Sequence, residues 1–374
     1  MKFSAVGRTL IATAVAGLTL AGCGSDDNTD SADAAGSIAV PRGSAQAQCT
    51  GKNALTAEGS TSQQNAIALF NQAWGKSCPG KNLSYNPTGS AAGRDQFIAG
   101  HVDFAGSDSP LSADQVGQAA KRCNQNPAWH LPLVFGPVVL AYHLNDVDNL
   151  VLSPDVLARI FSGAITNWTD PAITALNPGS TLPDLKVTPI YRSDSSGTTD
   201  NFQKYLGAAA PQTWYRGAGS EFQGGVGEGA QKSAGVVQAV QTTPGAIGYV
   251  EKGFVDQANL RFARIDSGSG AVAVSDDSAR TALESARFET EGSNDLRLDL
   301  SSLYGSKVAG AYPLVMVTYE IVCSKGYGPE TSAGVRSFLT VAEGSGQDGL
   351  PTAGYVPLPH RFEQRLAAAI DAIQ

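Results

Sequence analysis

The sequence predicts an α/β protein of two similar lobes, and three observations carry that prediction. The chain has 374 residues, more than one ordinary hydrophobic core holds, which suggests two domains. Short apolar strands alternate with helical patterns along most of it. A long apolar stretch at residues 131–144 is interrupted at Gly136-Pro137. This stretch is typical of a strand that crosses between lobes, because the alternation of strands and helices starts again beyond it.

The N-terminus has the pattern of an export signal. Lys2 and Arg8 precede an apolar run at residues 10–20. The run is shorter than the roughly 20 residues that a helix needs to span a membrane, so it is typical of a cleaved signal peptide. We expect residues 1–22 to be that signal peptide.

The run ends in Leu20-Ala21-Gly22-Cys23, which resembles the lipobox of bacterial lipoproteins, whose Cys becomes the acylated first residue. The alternative is an ordinary signal peptide followed by an accidental Cys. A segment rich in Ser, Asp, Asn and Ala follows at once and lacks apolar periodicity, as a flexible tether does. We expect residues 23–48 to be the lipidated Cys23 and this tether, and the protein to be anchored on the extracytoplasmic face of the cell membrane.

The net charge excludes some partners. Removal of residues 1–22 takes away two of the 26 basic residues and none of the 34 acidic ones, which leaves 24 against 34 and a net charge of −10. Such an acidic chain is a poor binder of nucleic acid or of an anionic lipid surface. A site for an anion on this chain has to rely on local hydrogen-bond donors.

Four cysteines follow Cys23, and an even number in an exported chain suggests two disulfides with three possible pairings. Cys49 and Cys78 each lie a few residues before a predicted strand, so their thiols share one end of the sheet if those strands are parallel neighbours. This favours Cys49–Cys78, worth about 3.5 kcal/mol in the chain-entropy model, and leaves Cys123–Cys323. A metal site is the disfavoured alternative, because the sequence has no Cys-x-x-Cys and no Cys/His cluster.

Strands and helices alternate in the first part of the body. Ile67, Phe70 and Trp74 recur at the spacing of one helix face, and a capping box at Ser112 and Gln115 marks a helix start. The predicted strands are residues 52–57, 82–86 and 102–105, and the predicted helices are residues 62–75, 91–99 and 112–123.

The same alternation resumes after the crossing stretch. If the last strand rejoins the first sheet, lobe I consists of residues 49–136 plus 313–374 and lobe II of residues 137–312, and the crossings near Gly136 and Pro313 form a hinge. The predicted strands are residues 187–191, 246–250 and 314–323, and the predicted helices are residues 153–161, 199–206, 234–240, 330–340 and 359–373.

Three strand-to-helix junctions carry a similar cluster of small polar residues. A helix N-terminus presents unpaired N–H groups and a partial positive charge, which suits an anion. Glycine allows close approach of the backbone, and Ser/Thr hydroxyls add donors. A single junction of this kind is usually an ordinary helix cap, but three of them indicate one shared oxyanion site. The junctions are Gly59-Ser60-Thr61-Ser62, Gly89-Ser90-Ala91-Ala92-Gly93 and Ser195-Ser196-Gly197-Thr198-Thr199.

Charged residues beside these turns point to selectivity. Arg192 ends the strand before the third turn, where its planar fork can bind an oxyanion with two hydrogen bonds, and Asp194 is placed to hold that fork. Asp108 follows another strand. A carboxylate accepts the hydrogen of HPO₄²⁻, whereas sulfate has no hydrogen and meets only repulsion. The alternative for Asp108 alone is a helix-capping role.

Longer segments carry a family resemblance. Val-Asp-Phe-Ala-Gly-Ser-Asp-Ser-Pro-Leu at 102–111, Phe-Ser-Gly-Ala-Ile-Thr-Asn-Trp at 161–168, Arg-Ser-Asp-Ser-Ser-Gly-Thr at 192–198 and Pro-Gly-Ala-Ile-Gly-Tyr-Val-Glu at 244–251 strongly resemble the phosphate-binding proteins of the phosphate-specific ABC transporter, the PstS family. They occur in order over nearly the whole mature chain. The actinobacterial lipoprotein members are the most similar.

The resemblance implies a type II periplasmic-binding-protein fold, with two α/β lobes, a hinge of two crossings and the ligand in the cleft. It implies a binding protein rather than an enzyme, no cofactor and no metal, and two partners: inorganic phosphate and the membrane permease subunits of an ABC importer. The phosphate ligands it implies are Thr61, Ser62, Ser90, Asp108, Arg192, Ser196, Gly197 and Thr198. The supporting residues are Ser60, Gly89 and Asp194.

The sequence departs from the family pattern at two positions, and alternatives to phosphate stay open. Ser62 stands where Phe is usual and Ala91 where Ser or Gly is common, which we expect to alter affinity without abolishing binding. Sulfate, arsenate or a phosphorylated metabolite are alternative ligands, and a hydrolase or an adhesive lipoprotein is a more distant alternative. The tract at 224–233 is similar to a phosphate-binding Walker A loop, but Gln231 stands where that motif needs Gly. We interpret the tract as a loop that contacts the ligand or a partner.

Overall fold

A computed structural model describes residues 48–374. The predicted signal peptide, the predicted lipid-attachment residue Cys23 and the predicted tether up to residue 47 lie outside the described residues. The strands are β1 (Ala54–Gly59), β2 (Asn82–Pro87), β3 (Phe104–Ser107), β4 (Ala128–Tyr142), β5 (Val151–Leu152), β6 (Thr188–Arg192), β7 (Glu228–Ala230), β8 (Ala246–Glu251), β9 (Arg261–Phe262), β10 (Arg264–Asp266), β11 (Ala271–Val272), β12 (Arg287–Phe288), β13 (Leu298–Asp299) and β14 (Val315–Cys323).

Helices follow most of the longer strands. Within residues 48–374, no helix combines the length and the apolar character that crossing a membrane requires. The helices are α1 (Gln64–Ser77), α2 (Ser90–Ile98), α3 (Ala113–Arg122), α4 (Pro154–Phe161), α5 (Pro171–Thr174), α6 (Gly197–Ala209), α7 (Lys232–Thr242), α8 (Lys252–Gln257), α9 (Asp276–Leu283), α10 (Ser301–Tyr304), α11 (Pro329–Glu343) and α12 (His360–Asp371), with 3₁₀ turns at Ser345–Gly349 and Pro351–Ala353.

The largest sheet has nine strands, in the order β2-β1-β3-β14-β4-β8-β6-β7, with β9 paired to β4. Strands β1, β2 and β3 are parallel to one another, as are β6, β7 and β8. The late strand β14 is antiparallel to both β3 and β4. The chain therefore returns to its first strands near its C-terminal end.

The two groups of parallel strands point toward each other along β4. Strand β4 pairs with β14 as far as Pro137 and with β8 from Val138 onward, where Glu251 at the end of β8 lies opposite Val138. Because β3 and β14, β14 and β4, and β4 and β8 are all antiparallel pairs, β3 and β8 run in opposite directions. The carboxyl ends of both groups consequently face the middle of β4.

The core holds these strand ends in place. Every residue of β14 is buried, and so are residues 130–142 of β4. Helix α1 turns Phe70 and Trp74 inward, and the Trp74 ring meets Phe338 of α11 edge to face at 5.5 Å between centroids. The Phe338 ring also stacks on Phe104 of β3, so helices from both ends of the chain cover the same sheet.

Both disulfides have the predicted pairing. Cys49–Cys78 and Cys123–Cys323 each have a Cα–Cα distance of 5.3 Å. Strands β1 and β2 are parallel neighbours, which places Cys49 and Cys78 at one end of the sheet, as predicted. The second bridge joins the end of α3 to the end of β14.

The structure differs from the predicted elements mainly in short segments. The third strand begins at Phe104 rather than at residue 102, because the Asp103 carboxylate accepts hydrogen bonds from Lys52 Nζ (2.9 Å) and the Thr56 backbone N–H (2.8 Å) at that point. The predicted capping box at Ser112 and Gln115 is present. The short strands β5, β7 and β9–β13 and the helices α5, α8, α9 and α10 were not predicted.

Candidate functional site

Four helices begin where the two groups of parallel strands end. Helices α1, α2, α6 and α7 follow β1, β2, β6 and β7 directly. Their first turns expose backbone N–H groups and the positive ends of the helix dipoles, a combination that favours an anion. The three predicted Gly/Ser turns form the starts of α1, α2 and α6, and the start of α7 adds a fourth.

Asp108 lies just beyond β3 and is the centre of a hydroxyl cluster. Its side chain is buried. Ser60 Oγ lies 2.7 Å from both carboxylate oxygens, Ser62 Oγ 2.6 Å and Thr318 Oγ1 2.7 Å from Oδ1, and Ser90 Oγ 3.0 Å from Oδ2. An ionised carboxylate only accepts hydrogen bonds, so these four hydroxyls donate to it.

The start of α6 packs directly on this cluster. A Cβ added to Gly197 would lie 2.4 Å from Ser90 Oγ and 2.7 Å from Asp108 Oδ2. One turn later, Asn201 Nδ2 donates to the Asp108 backbone carbonyl at 2.7 Å. The turn before α6 therefore lies against the turns that follow β2 and β3, and only a glycine fits at 197.

Gly89 lies where the second Gly/Ser turn packs closely against the third. Its φ of 110° is a left-handed conformation that favours glycine, and an added Cβ would lie 2.7 Å from the Ser195 carbonyl oxygen. Ser196 caps α6, since its Oγ accepts from the Thr199 backbone N–H at 3.2 Å.

Arg192 ends β6 and forms the cationic part of the site. It is buried, its Nε donates to Asp194 Oδ1 at 2.7 Å, and its Nη2 donates to Asp194 Oδ2. Burial by itself lowers the pKa of Arg192, but the hydrogen bonds and charge of Asp194 outweigh it and raise the pKa. Burial likewise opposes ionisation of Asp194, yet its bonds to Arg192 lower the Asp194 pKa. Both groups are therefore held charged.

Two further contacts connect the Arg192 region to the predicted ligand residues. Thr61 Oγ1 lies 2.9 Å from Ser233 Oγ at the start of α7, and Ser233 Oγ lies 3.4 Å from Arg192 Nη1. Thr198 Oγ1 donates to Glu251 Oε1 at 2.5 Å. Glu251 is buried at the end of β8, and burial raises its pKa, although the charge of Arg192 opposes the shift.

The structure brings all the predicted site residues into one continuous region. Ser60, Ser62, Ser90 and Gly197 surround Asp108, whereas Thr61, Asp194 and Thr198 lie on the Arg192 side. Gly89 and Ser196 belong to the turns that connect the two sides.

Three residues of this region were given no role from the sequence: Glu251, Thr318 and Glu320. Thr318 and Glu320 are polar residues within an otherwise apolar predicted strand. Their polarity was the one feature of the sequence that could have indicated a role at the site. Ser233 belongs to the tract at 224–233, which was interpreted as a loop that contacts the ligand or a partner. In the structure, Glu228–Ala230 of this tract form β7 and α7 begins at Lys232. Glu251 ends a segment that carried the family resemblance.

Comparisons with known proteins agree with this architecture. Residues 41–342 match the PBP superfamily domain. The Phosphate-binding protein PstS 3 of Mycobacterium tuberculosis is 44% identical over 375 residues and covers 100% of both chains. The Phosphate-binding protein PstS of Haemophilus influenzae is 30% identical over 75% of this chain and 81% of its own.

Solved structures share the fold at lower identity. A human phosphate binding apolipoprotein has a TM-score of 0.68 at 21% identity, over 84% of this chain and 93% of its own. The Phosphate-Binding Protein from Stenotrophomonas maltophilia has a TM-score of 0.65 at 21% identity, over 85% and 94%.

The two groups of facing strands and the helix N-termini between them place the fold in the PBP superfamily, whose domain covers most of the described residues. Within that superfamily, the similarity to PstS proteins over the full length of the chain identifies the family. The chain belongs to the PstS family of phosphate-binding proteins, and its mycobacterial members are among its relatives.

Proposed function

We propose that this protein binds inorganic phosphate in the region between the facing strand ends and delivers it to the permease of an ABC-type importer. The observation that carries the proposal is the convergence of four helix N-termini, a buried Arg192 and a hydroxyl-lined Asp108 on one place. The proposed ligands are Thr61, Ser62, Ser90, Asp108, Arg192, Ser196, Gly197 and Thr198, and Ser60, Gly89 and Asp194 support them.

Donors dominate this region, as a tetrahedral anion requires. Its donors are serine and threonine hydroxyls, helix-start N–H groups and the Arg192 guanidinium. Several of these hydroxyls donate to Asp108 or Glu251 in the structure, and a hydroxyl hydrogen rotates readily toward a bound anion. Hydrogen bonds to a charged group contribute about 1.5–3 kcal/mol each before the cost of ordering the ligand. Several of them readily supply the roughly −8 kcal/mol that a micromolar dissociation constant represents.

Asp108 supplies the selectivity. Its carboxylate accepts the hydrogen of HPO₄²⁻, and the four hydroxyls around it hold it in place for that bond. Sulfate offers no hydrogen and would place its oxygens against the Asp108 charge. Sulfate, arsenate and a phosphorylated metabolite are the alternative ligands. Asp108 disfavours sulfate, which has no hydrogen to donate, but it does not distinguish phosphate from hydrogen arsenate, which has one.

The strand arrangement supports a hinged cleft. We assign residues 49–136 plus 313–374 to lobe I and residues 137–312 to lobe II, because β4 changes its pairing partner from β14 to β8 at Pro137 and Val138. A ligand that contacts turns of both lobes stabilises the closed form over the open one. The closed form is then the one that the permease subunits recognise.

The proposal also includes a lipid anchor at the membrane and a transport role without catalysis. The lipobox at Cys23 would tether the protein to the cell membrane on its extracytoplasmic face, near the permease. Relatives whose names describe phosphate binding support a transport role in place of an enzymatic one. Mass spectrometry of the membrane-extracted protein tests the anchor: a diacylglyceryl Cys23 at the N-terminus supports it, and an unmodified or uncleaved N-terminus contradicts it.

Calorimetric titration of Arg192→Ala with phosphate tests the site. Removal of the guanidinium takes away charge-assisted hydrogen bonds and leaves Asp194 without its cationic partner, so affinity should fall at least ~100-fold. Arg264→Ala is the control, because Arg264 is exposed on β10 and its guanidinium donates to the Ala271 carbonyl, away from the site. Parent-like phosphate affinity in Arg192→Ala would place the site elsewhere.

A further inference from the structure

Ser233 lies at the junction of the two sides of the site. Its side chain is fully buried, and its Oγ is within hydrogen-bond distance of Thr61 Oγ1 (2.9 Å) and Arg192 Nη1 (3.4 Å). Thr61 follows β1 and Arg192 ends β6, so this one hydroxyl connects the two groups of facing strands. Thr61 and Arg192 are proposed phosphate ligands, and the nearby Glu251 carboxylate is a third partner, whose pKa the Ser233 hydroxyl lowers by a hydrogen bond.

The hydroxyl of Ser233 does not serve its own helix. Serine at a helix start usually caps it, as Ser112, Ser153 and Ser196 do here. The cap position of α7 is Gln231, whose side chain makes no capping bond, and Ser233 lies two residues further along. Its hydroxyl is therefore directed to the site.

The backbone before Ser233 is held in an unfavourable conformation. Lys232 has a φ of 61°, in the left-handed region that a residue with a side chain adopts at an energetic cost. Its backbone N–H donates to Asp194 Oδ1 at 2.8 Å, and the same carboxylate holds the Arg192 fork. One carboxylate thus positions both Arg192 and the turn that carries Ser233.

We propose that Ser233 is a further phosphate ligand, which donates its hydroxyl hydrogen to the anion bound between Thr61 and Arg192. This inference rests on the proposed function of the site. An oxygen of phosphate that accepts from Thr61 and Arg192 lies next to the Ser233 hydroxyl, because the three side chains are mutual neighbours. The start of α7 then contributes a fourth turn to the site, in addition to the three predicted from the sequence.

Calorimetric titration with inorganic phosphate tests this role in Ser233→Ala. Loss of a hydrogen bond to a charged ligand should weaken binding at least ~10-fold. Ser332→Ala is the matched control, because Ser332 is a buried serine of α11 away from the site, and it should bind like the parent. The melting temperature without phosphate should change little in Ser233→Ala, whereas the rise in melting temperature on adding phosphate should shrink.

A pair of nearly isosteric variants distinguishes the effect of the hydroxyl group from the effect of side-chain size. Ser233→Thr keeps the hydroxyl and Ser233→Val replaces it with a methyl group of similar size, so the threonine variant should bind phosphate at least ~10-fold more tightly. Equal affinity in this pair, or parent-like affinity in Ser233→Ala, overturns the role of Ser233. Failure of the parent itself to bind phosphate would instead refute the proposed function.

Discussion

Glu320 is the most unusual titratable group near the site. It lies within β14 and is fully buried, with Gly106 and Leu131 as its cross-strand neighbours. Burial is the main cause that raises the pKa of Glu320 to about 8, the negative charge of Asp108 adds to it, and the Gln63 side chain opposes it. The folded protein therefore keeps a proton on this carboxyl at pH 7, whereas the unfolded chain ionises it near 4.5.

The sign of the effect on stability follows from the raised pKa. The stabilising contribution of the protonated group is complete below pH 4.5 and is lost as the pH rises through the folded pKa near 8. Each pKa unit corresponds to about 1.4 kcal/mol. Over this range the free energy of unfolding should therefore fall by a few kcal/mol through Glu320 alone.

Glu320→Gln removes the titration and keeps the shape of the protonated acid. The stability advantage of this variant over the parent should grow steadily from pH 5 to pH 8.5 and reach a few kcal/mol. Urea unfolding followed by tryptophan fluorescence, at a series of pH values with the disulfides intact and phosphate absent, measures this difference. Glu330→Gln is the control, since Glu330 is exposed at the start of α11. A constant difference between Glu320→Gln and the parent at every pH would refute the reasoning.

Two further predictions concern the glycine at the site and a disulfide. Gly197→Ala places a Cβ against Ser90 and Asp108, so calorimetry should show phosphate binding weakened at least ~10-fold, whereas Gly207→Ala on the same helix has no neighbour closer than 4.0 Å and should leave binding unchanged. Parent-like binding in Gly197→Ala would contradict the close packing of α6 on Asp108. Replacement of Cys49 and Cys78 by serine should lower the free energy of unfolding by about 3.5 kcal/mol in urea titrations, since the bridge closes a loop of 29 residues; a loss below about 1 kcal/mol would contradict this chain-entropy estimate.

Local patterns were sufficient to predict much of the fold. The strand–turn–helix units, the capping box at Ser112 and the disulfide between Cys49 and Cys78 depend on neighbouring residues or on one pair of adjacent strands, and the structure has them. The three Gly/Ser turns were predicted for the same reason. Glycine and hydroxyl residues are favoured at a helix start by the local backbone conformation and by unpaired N–H groups of the first turn, which involve only a few neighbouring residues.

The remaining features depend on contacts between distant segments. Thr318 reaches Asp108 because β14 lies beside β3, and the register of β14 against β4 shifts between Thr318 and Tyr319. No local pattern contains that register. Ser233 depends on the left-handed conformation of Lys232, which Asp194 stabilises from 38 residues away. The strands of two or three residues, such as β9 and β12, are formed by pairing alone and carry no periodicity of their own.

Calorimetric titration of the parent protein with phosphate and with sulfate, at the same pH and ionic strength, tests the central claim most directly. The dissociation constant for phosphate should be in the micromolar range or tighter, because the site offers many charge-assisted hydrogen bonds. Sulfate affinity should be at least ~1,000-fold weaker, because Asp108 then faces an oxygen without a hydrogen. Equal affinities for the two anions would contradict the role of Asp108, and no heat with either anion would contradict phosphate binding itself.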